Sequence, residues 1–103
     1  MVNAFNLVKN DTNELPNNIE AEQSVIGSIL VSNEIFDEIN ILISSKNFYD
    51  PMHQKIFNAI EKLIYSGMLA NPITLKNYFE KEKDEINVPD YLIKITKFYS
   101  FTL

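Results

Sequence analysis

Apolar residues in this chain recur at helical spacing, one segment after another, and each segment is opened or closed by a residue suited to that job. After Asp50-Pro51, the residues Ile56, Phe57, Ile60, Leu63 and Ile64 form one stripe at i, i+1, i+4, i+7 and i+8. Asp accepts from free N–H groups at a helix start, and Pro in the first helical position needs no donor. Gly67 is placed to take the left-handed conformation that ends such a helix. Asn71-Pro72 repeats the start signal, and a fourth helix runs through Leu75, Tyr78 and Phe79 before fading in the charged run 80–85. Pro89-Asp90 opens a fifth, with Leu92, Ile95 and Tyr99 on one side.

The first half follows the same grammar. Asn17 or Asn18 caps a first helix, and Glu20 and Glu22 in its first turn complement the positive end of the helix dipole. Val25, Ile26, Ile29 and Leu30 are its apolar stripe, while Ala21, Ser24, Gly27 and Ser28 make a second face of small residues. That small face suits either close packing inside the domain or a seam against another copy. Ile35, Phe36, Ile39, Leu42 and Ile43 supply the stripe of a second helix. No convincing alternation of period two occurs, so the expected fold is all-α: a compact bundle of about five short helices in a single domain. Residues 1–16 show no sustained period and read as a flexible arm ahead of a helical head over 17–103.

At 103 residues the chain supports one hydrophobic core. Its 46% hydrophobic content fits a globular fold, and the absence of Cys removes disulfides and thiolate metal sites and fits a reducing cytoplasm. No stretch approaches the roughly 18 apolar residues of a membrane span. The net charge is −5 with no Arg, every basic side chain being Lys. Nucleic-acid affinity comes largely from neutralising phosphates, so little direct binding of DNA is expected. Neither glycine, Gly27 or Gly67, is followed by Lys, so no phosphate-cradling Gly-Lys-Ser/Thr loop is present.

His53 is the single histidine. A zinc site needs further His or Cys ligands, and nothing places a nucleophile beside it, so packing or hydrogen bonding at the helix start is the favoured role. The paired carboxylates Glu20 with Glu22 and Asp37 with Glu38 read as solvated faces and dipole complements. Phe48 and Tyr49 read as plugs under the turn, with the Tyr49 hydroxyl toward a polar partner. No catalytic, cofactor-binding or metal-ligating residue is expected. The apolar residues Tyr99, Phe101 and Leu103 are candidate contacts with another chain or with further helices.

Two segments, Glu20-Ala21-Glu22-Gln23-Ser24-Val25-Ile26-Gly27 and Phe48-Tyr49-Asp50-Pro51-Met52-His53 with Phe57 one helical turn on, resemble the opening helix and the later turn of the N-terminal domain of the bacterial replicative DNA helicases, the DnaB family. Pro16, Ile19, Asn33-Glu34, Gly67 and Thr74-Leu75 extend the resemblance from about Leu15 to Tyr99. Glu20, Ala21, Gln23, Gly27, Phe48, Tyr49, Asp50, Pro51, His53 and Phe57 are its structural signature. One departure is the shorter Val88-Pro89-Asp90-Tyr91-Leu92 where the family has a Gly-Gly turn before a Tyr-Leu helix. The family's long helical hairpin, linker and ATPase domain are not in these 103 residues. The resemblance implies a cytoplasmic scaffold without catalysis of its own, contributing to a helicase collar and receiving primase, with ATP and Mg handled by the separate motor domain. It implies weak self-association of this head, and a hexamer for a full-length chain. A stand-alone acidic helical adaptor or inhibitor of a replication protein is the alternative.

Overall fold

The computed structural model describes residues 18–82 and 88–101, with the side chains of 88, 89 and 98–101 outside that description. Five α-helices follow one another: α1 (Ile19–Val31), α2 (Phe36–Leu42), α3 (Pro51–Tyr65), α4 (Pro72–Lys81) and α5 (Val88–Phe101). Single 3₁₀ turns at Asn33–Ile35 and Ser45–Asn47 join the first three. The all-α bundle is therefore the observed class. The arm over 1–16, Leu103 and the side chains of Tyr99 and Phe101 lie outside the described residues.

The helix boundaries follow from local chemistry. The Asn18 side chain accepts from the Ala21 N–H at 2.9 Å, and the Asp50 side chain accepts from Met52 at 2.8 Å. Asn71 accepts from both Ile73 and Thr74, while the Thr74 hydroxyl accepts from the Asn71 N–H, so three backbone donors at the start of α4 are satisfied. At the end of α3, Gly67 has φ +83°. Its N–H donates to the Ile64 carbonyl and the Met68 N–H to that of Leu63, the Schellman closure that a left-handed residue permits.

The core draws on all five helices. Ile26, Ile29, Phe36, Ile56, Phe57, Ala59, Ile60, Leu75 and Leu92 are fully buried, with Leu30, Phe48, Leu63, Ala70, Phe79 and Ile95 nearly so. Phe57 sits at its centre, with ring centroids 5.4 Å from Phe36 and 5.1 Å from Phe48. α1 packs most extensively on α5, and α5 also covers α4. Asn33 ties the first half to the second: its amide donates to the carbonyls of Ile29 and Ala70, and its oxygen accepts from the Ala70 N–H.

Two expectations need correction. Leu42 was assigned to the α2 stripe but is largely exposed, because α2 has only two turns and the backbone at Ile43 is already extended. Tyr49 does not plug the core under its turn. It is 63% exposed, because the turn aims its neighbour Phe48 inward instead.

Candidate functional site

His53 is 0% exposed and is the one polar residue fully buried among the described residues. An imidazole there needs partners for both nitrogens, since an unsatisfied buried polar group costs about 1–3 kcal/mol. Both are supplied by other helices. Nδ1 lies 2.8 Å from the Glu22 carboxylate of α1, and Nε2 lies 2.5 Å from the Tyr91 hydroxyl of α5. The His53 and Tyr91 rings are within 24° of coplanar with centroids 5.7 Å apart. That geometry suits an in-plane hydrogen bond rather than face-to-face stacking.

The chain of bonds continues at both ends. Gln23, next to Glu22 on α1, donates its amide to the Tyr91 oxygen at 2.9 Å. Glu22 also accepts from the backbone N–H of Tyr49 at 2.6 Å and of Asp50 at 3.3 Å. An ionised carboxylate only accepts, so Nδ1–H donates to Glu22, and in a neutral ring Nε2 then accepts the Tyr91 hydroxyl proton. One carboxylate thus receives three donors at the positive end of α3, where the helix dipole favours negative charge. Phe48 closes one side of the pocket, its ring tilted 73° to the imidazole, and Gln54 donates to the Phe48 carbonyl at 2.6 Å.

The structure brings together only part of the signature seen in the sequence. Gln23, Phe48, Asp50 and His53 meet around this relay, with Pro51 opening α3 and Phe57 beneath in the core. Gly27 is buried further along α1, whereas Glu20 and Ala21 face outward and Tyr49 contributes its backbone N–H rather than its ring. Two members were missed in the sequence. From the sequence, Glu22 reads as a solvated dipole complement and Tyr91 only as part of a departing turn. The available signal was the lone His53 itself, since a buried imidazole requires a donor and an acceptor from elsewhere in the chain.

The relay is closed on itself, and among the described residues no group of three His, Cys, Asp or Glu could hold a metal ion. A groove of about 420 Å³ between α3 and α4 is lined by both apolar and polar side chains, among them Leu63, Met68, Tyr78, Lys62, Ser66 and Glu82. No described helix is long and apolar enough to cross a membrane.

Comparison with known proteins bears on what such a head belongs to. A family model described as the DnaB-like helicase N-terminal domain matches residues 14–102. The replicative DNA helicase DnaB of Rickettsia felis is 41% identical over 83 residues, covering 79% of this chain and 17% of that protein. That of Rickettsia typhi is 36% identical over 101 residues, covering 90% of this chain and 20% of its own length. The replicative DNA helicase DnaB of Buchnera aphidicola is 39% identical over 69 residues, with 67% of this chain and 15% of that protein covered. The chain spans a fifth or less of the length of these relatives.

Proposed function

The chain belongs to the DnaB-like helicase N-terminal domain family, and from that membership we propose that it works as the interaction head of a replicative DNA helicase. In this reading it contributes to the collar of a helicase ring and receives primase during chromosome replication. Unwinding and ATP hydrolysis with Mg belong to a motor domain outside these residues. The head itself contributes shape: five helices, three of them with side-chain N-caps, are locked by the Glu22–His53–Tyr91 relay and present fixed outer faces to other proteins.

The observation that carries the reading is the coincidence of the family match with a site that is closed and structural. Gln23 and His53, two of the residues that carry the resemblance, take part with Glu22 and Tyr91 in the contacts that join α1, α3 and α5, which is the property a scaffold needs. Weak direct DNA binding accords with a net charge of −5 and no Arg. The testing experiment is isothermal titration of the chain with the cognate primase. A saturable one-to-one interaction is expected; no heat and no complex at high micromolar concentration contradicts the docking role.

A further inference from the structure

The groove between α3 and α4, at about 420 Å³, is within the roughly 300–1,000 Å³ typical of clefts that take a ligand. Leu63, Met68 and Tyr78 give it apolar surface, and its charged lining is two ammonium groups, Lys62 and Lys81, against one carboxylate, Glu82. The lining is therefore net positive on a chain whose total charge is −5.

Part of its polar lining is already engaged inside the fold. The Ser66 hydroxyl donates to the Lys62 carbonyl and the Thr74 hydroxyl to that of Leu69, both at 2.8 Å. The remaining donors are not. Among the described residues, neither Lys62 nor Lys81 is ion-paired, and the side chains of Asn77 and Tyr78 make no hydrogen bond, whereas Lys76 on the same helix has Glu80 at 4.0 Å. Apolar surface beside uncommitted donors of net positive charge matches an occupant that brings an apolar group together with anionic acceptor oxygens. Lys62, Ser66, Met68, Asn77 and Lys81 are all exposed, so the groove is open over much of its lining. That openness suits a chain segment laid across it better than an enclosed small molecule.

We infer that the α3–α4 groove binds a peptide segment of another protein in which an apolar side chain is flanked by carboxylates. The side chain packs against Leu63, Met68 and Tyr78, and the carboxylates pair with Lys62 and Lys81. This goes beyond the primase-docking role, and its test contains no primase, so either can fail alone. Exposed ion pairs are weak and screened, so a short peptide should bind near the millimolar range and more weakly as salt rises.

The test is a titration of the whole ¹⁵N-labelled chain with the peptide acetyl-Gly-Glu-Phe-Glu-Gly-amide, followed by NMR. Saturable shifts are expected at the amides of Leu63, Ser66, Asn77 and Tyr78. The analogue with both Glu replaced by Gln should bind several-fold more weakly. Lys62→Glu and Lys81→Glu should each weaken binding about threefold or more, while Lys46→Glu, an equal charge change at an exposed site outside the groove, should bind as the parent does. All three sites are exposed, so the melting temperatures should stay near that of the parent. The inference is overturned by an absence of saturable shifts at about 10 mM peptide, or by shifts confined to other surfaces. Equal affinity for the Gln analogue, or equal weakening by Lys46→Glu, also overturns it. Shifts at the groove amides that depend on the concentration of the chain alone would assign the groove to a second copy and overturn it as well.

Discussion

His53 shows how much one fully buried polar side chain can organise. Its two nitrogens reach Glu22 and Tyr91, and through them Gln23 and the backbone of Tyr49 and Asp50. Tyr91→Phe deletes one hydroxyl and leaves an acceptor on His53 and a donor on Gln23 without that partner. A loss of about 1–3 kcal/mol in denaturant unfolding is expected, and a loss under ~0.5 kcal/mol would mean that the hydroxyl is not part of the relay. Glu34 offers a smaller check. The Ser32 hydroxyl donates to its carboxylate at 2.5 Å, and that bond, helped by a backbone hydrogen bond, holds its pKa below the usual carboxylate value. A carboxyl depressed in the folded state adds stability above its unfolded pKa that is lost as pH falls through the folded one. In an NMR titration the Glu34 midpoint should therefore rise toward the ordinary value in Ser32→Ala. The sequence exposed His53 as a buried structural residue from its isolation, but not its partners, because Glu22 and Tyr91 lie 31 and 38 positions away and no local period links them.

At the scale of elements, the starts and stops were the most legible part of the chain. Asp50-Pro51, Asn71-Pro72 and Gly67 each carry their own backbone chemistry, and the structure places helix ends at all three. Gly67→Ala forces a side chain into φ +83° and should cost about 1 kcal/mol, although a Cβ there meets nothing within 4 Å. An unchanged melting temperature would show that the turn relaxes out of the left-handed region. Removing the central aromatic has a larger effect: Phe57→Ala empties the contact with Phe36 and Phe48 and should cost about 3–5 kcal/mol in the same unfolding measurement. What periodicity could not supply was the length of α2. Its stripe reads on through Leu42 and Ile43, but the Ser44-Ser45 corner that ends it depends on where α3 must start to bury Phe48. Tyr49 was misplaced for the same reason, since a turn sends adjacent side chains in different directions and only its three-dimensional course says which goes inward.

For the molecule as a whole, the Glu22–His53–Tyr91 relay is a lock across three helices. No phosphate-cradling loop exists in the chain, so ATP with Mg should leave its melting temperature unchanged; a nucleotide-dependent rise would contradict the scaffold role. The central claim is that α1, α3 and α5 are held as one head through His53. Glu22 and Tyr91 bind opposite nitrogens of that ring, so a link through it shows as an energetic coupling between them. The most direct test is a double-mutant cycle of Glu22→Ala and Tyr91→Phe by denaturant unfolding. The relay predicts a coupling of about 0.5–3 kcal/mol, the second substitution costing less once the first is made. Strict additivity, within about 0.3 kcal/mol, would show that the two residues stabilise the fold independently and that His53 does not join the three helices.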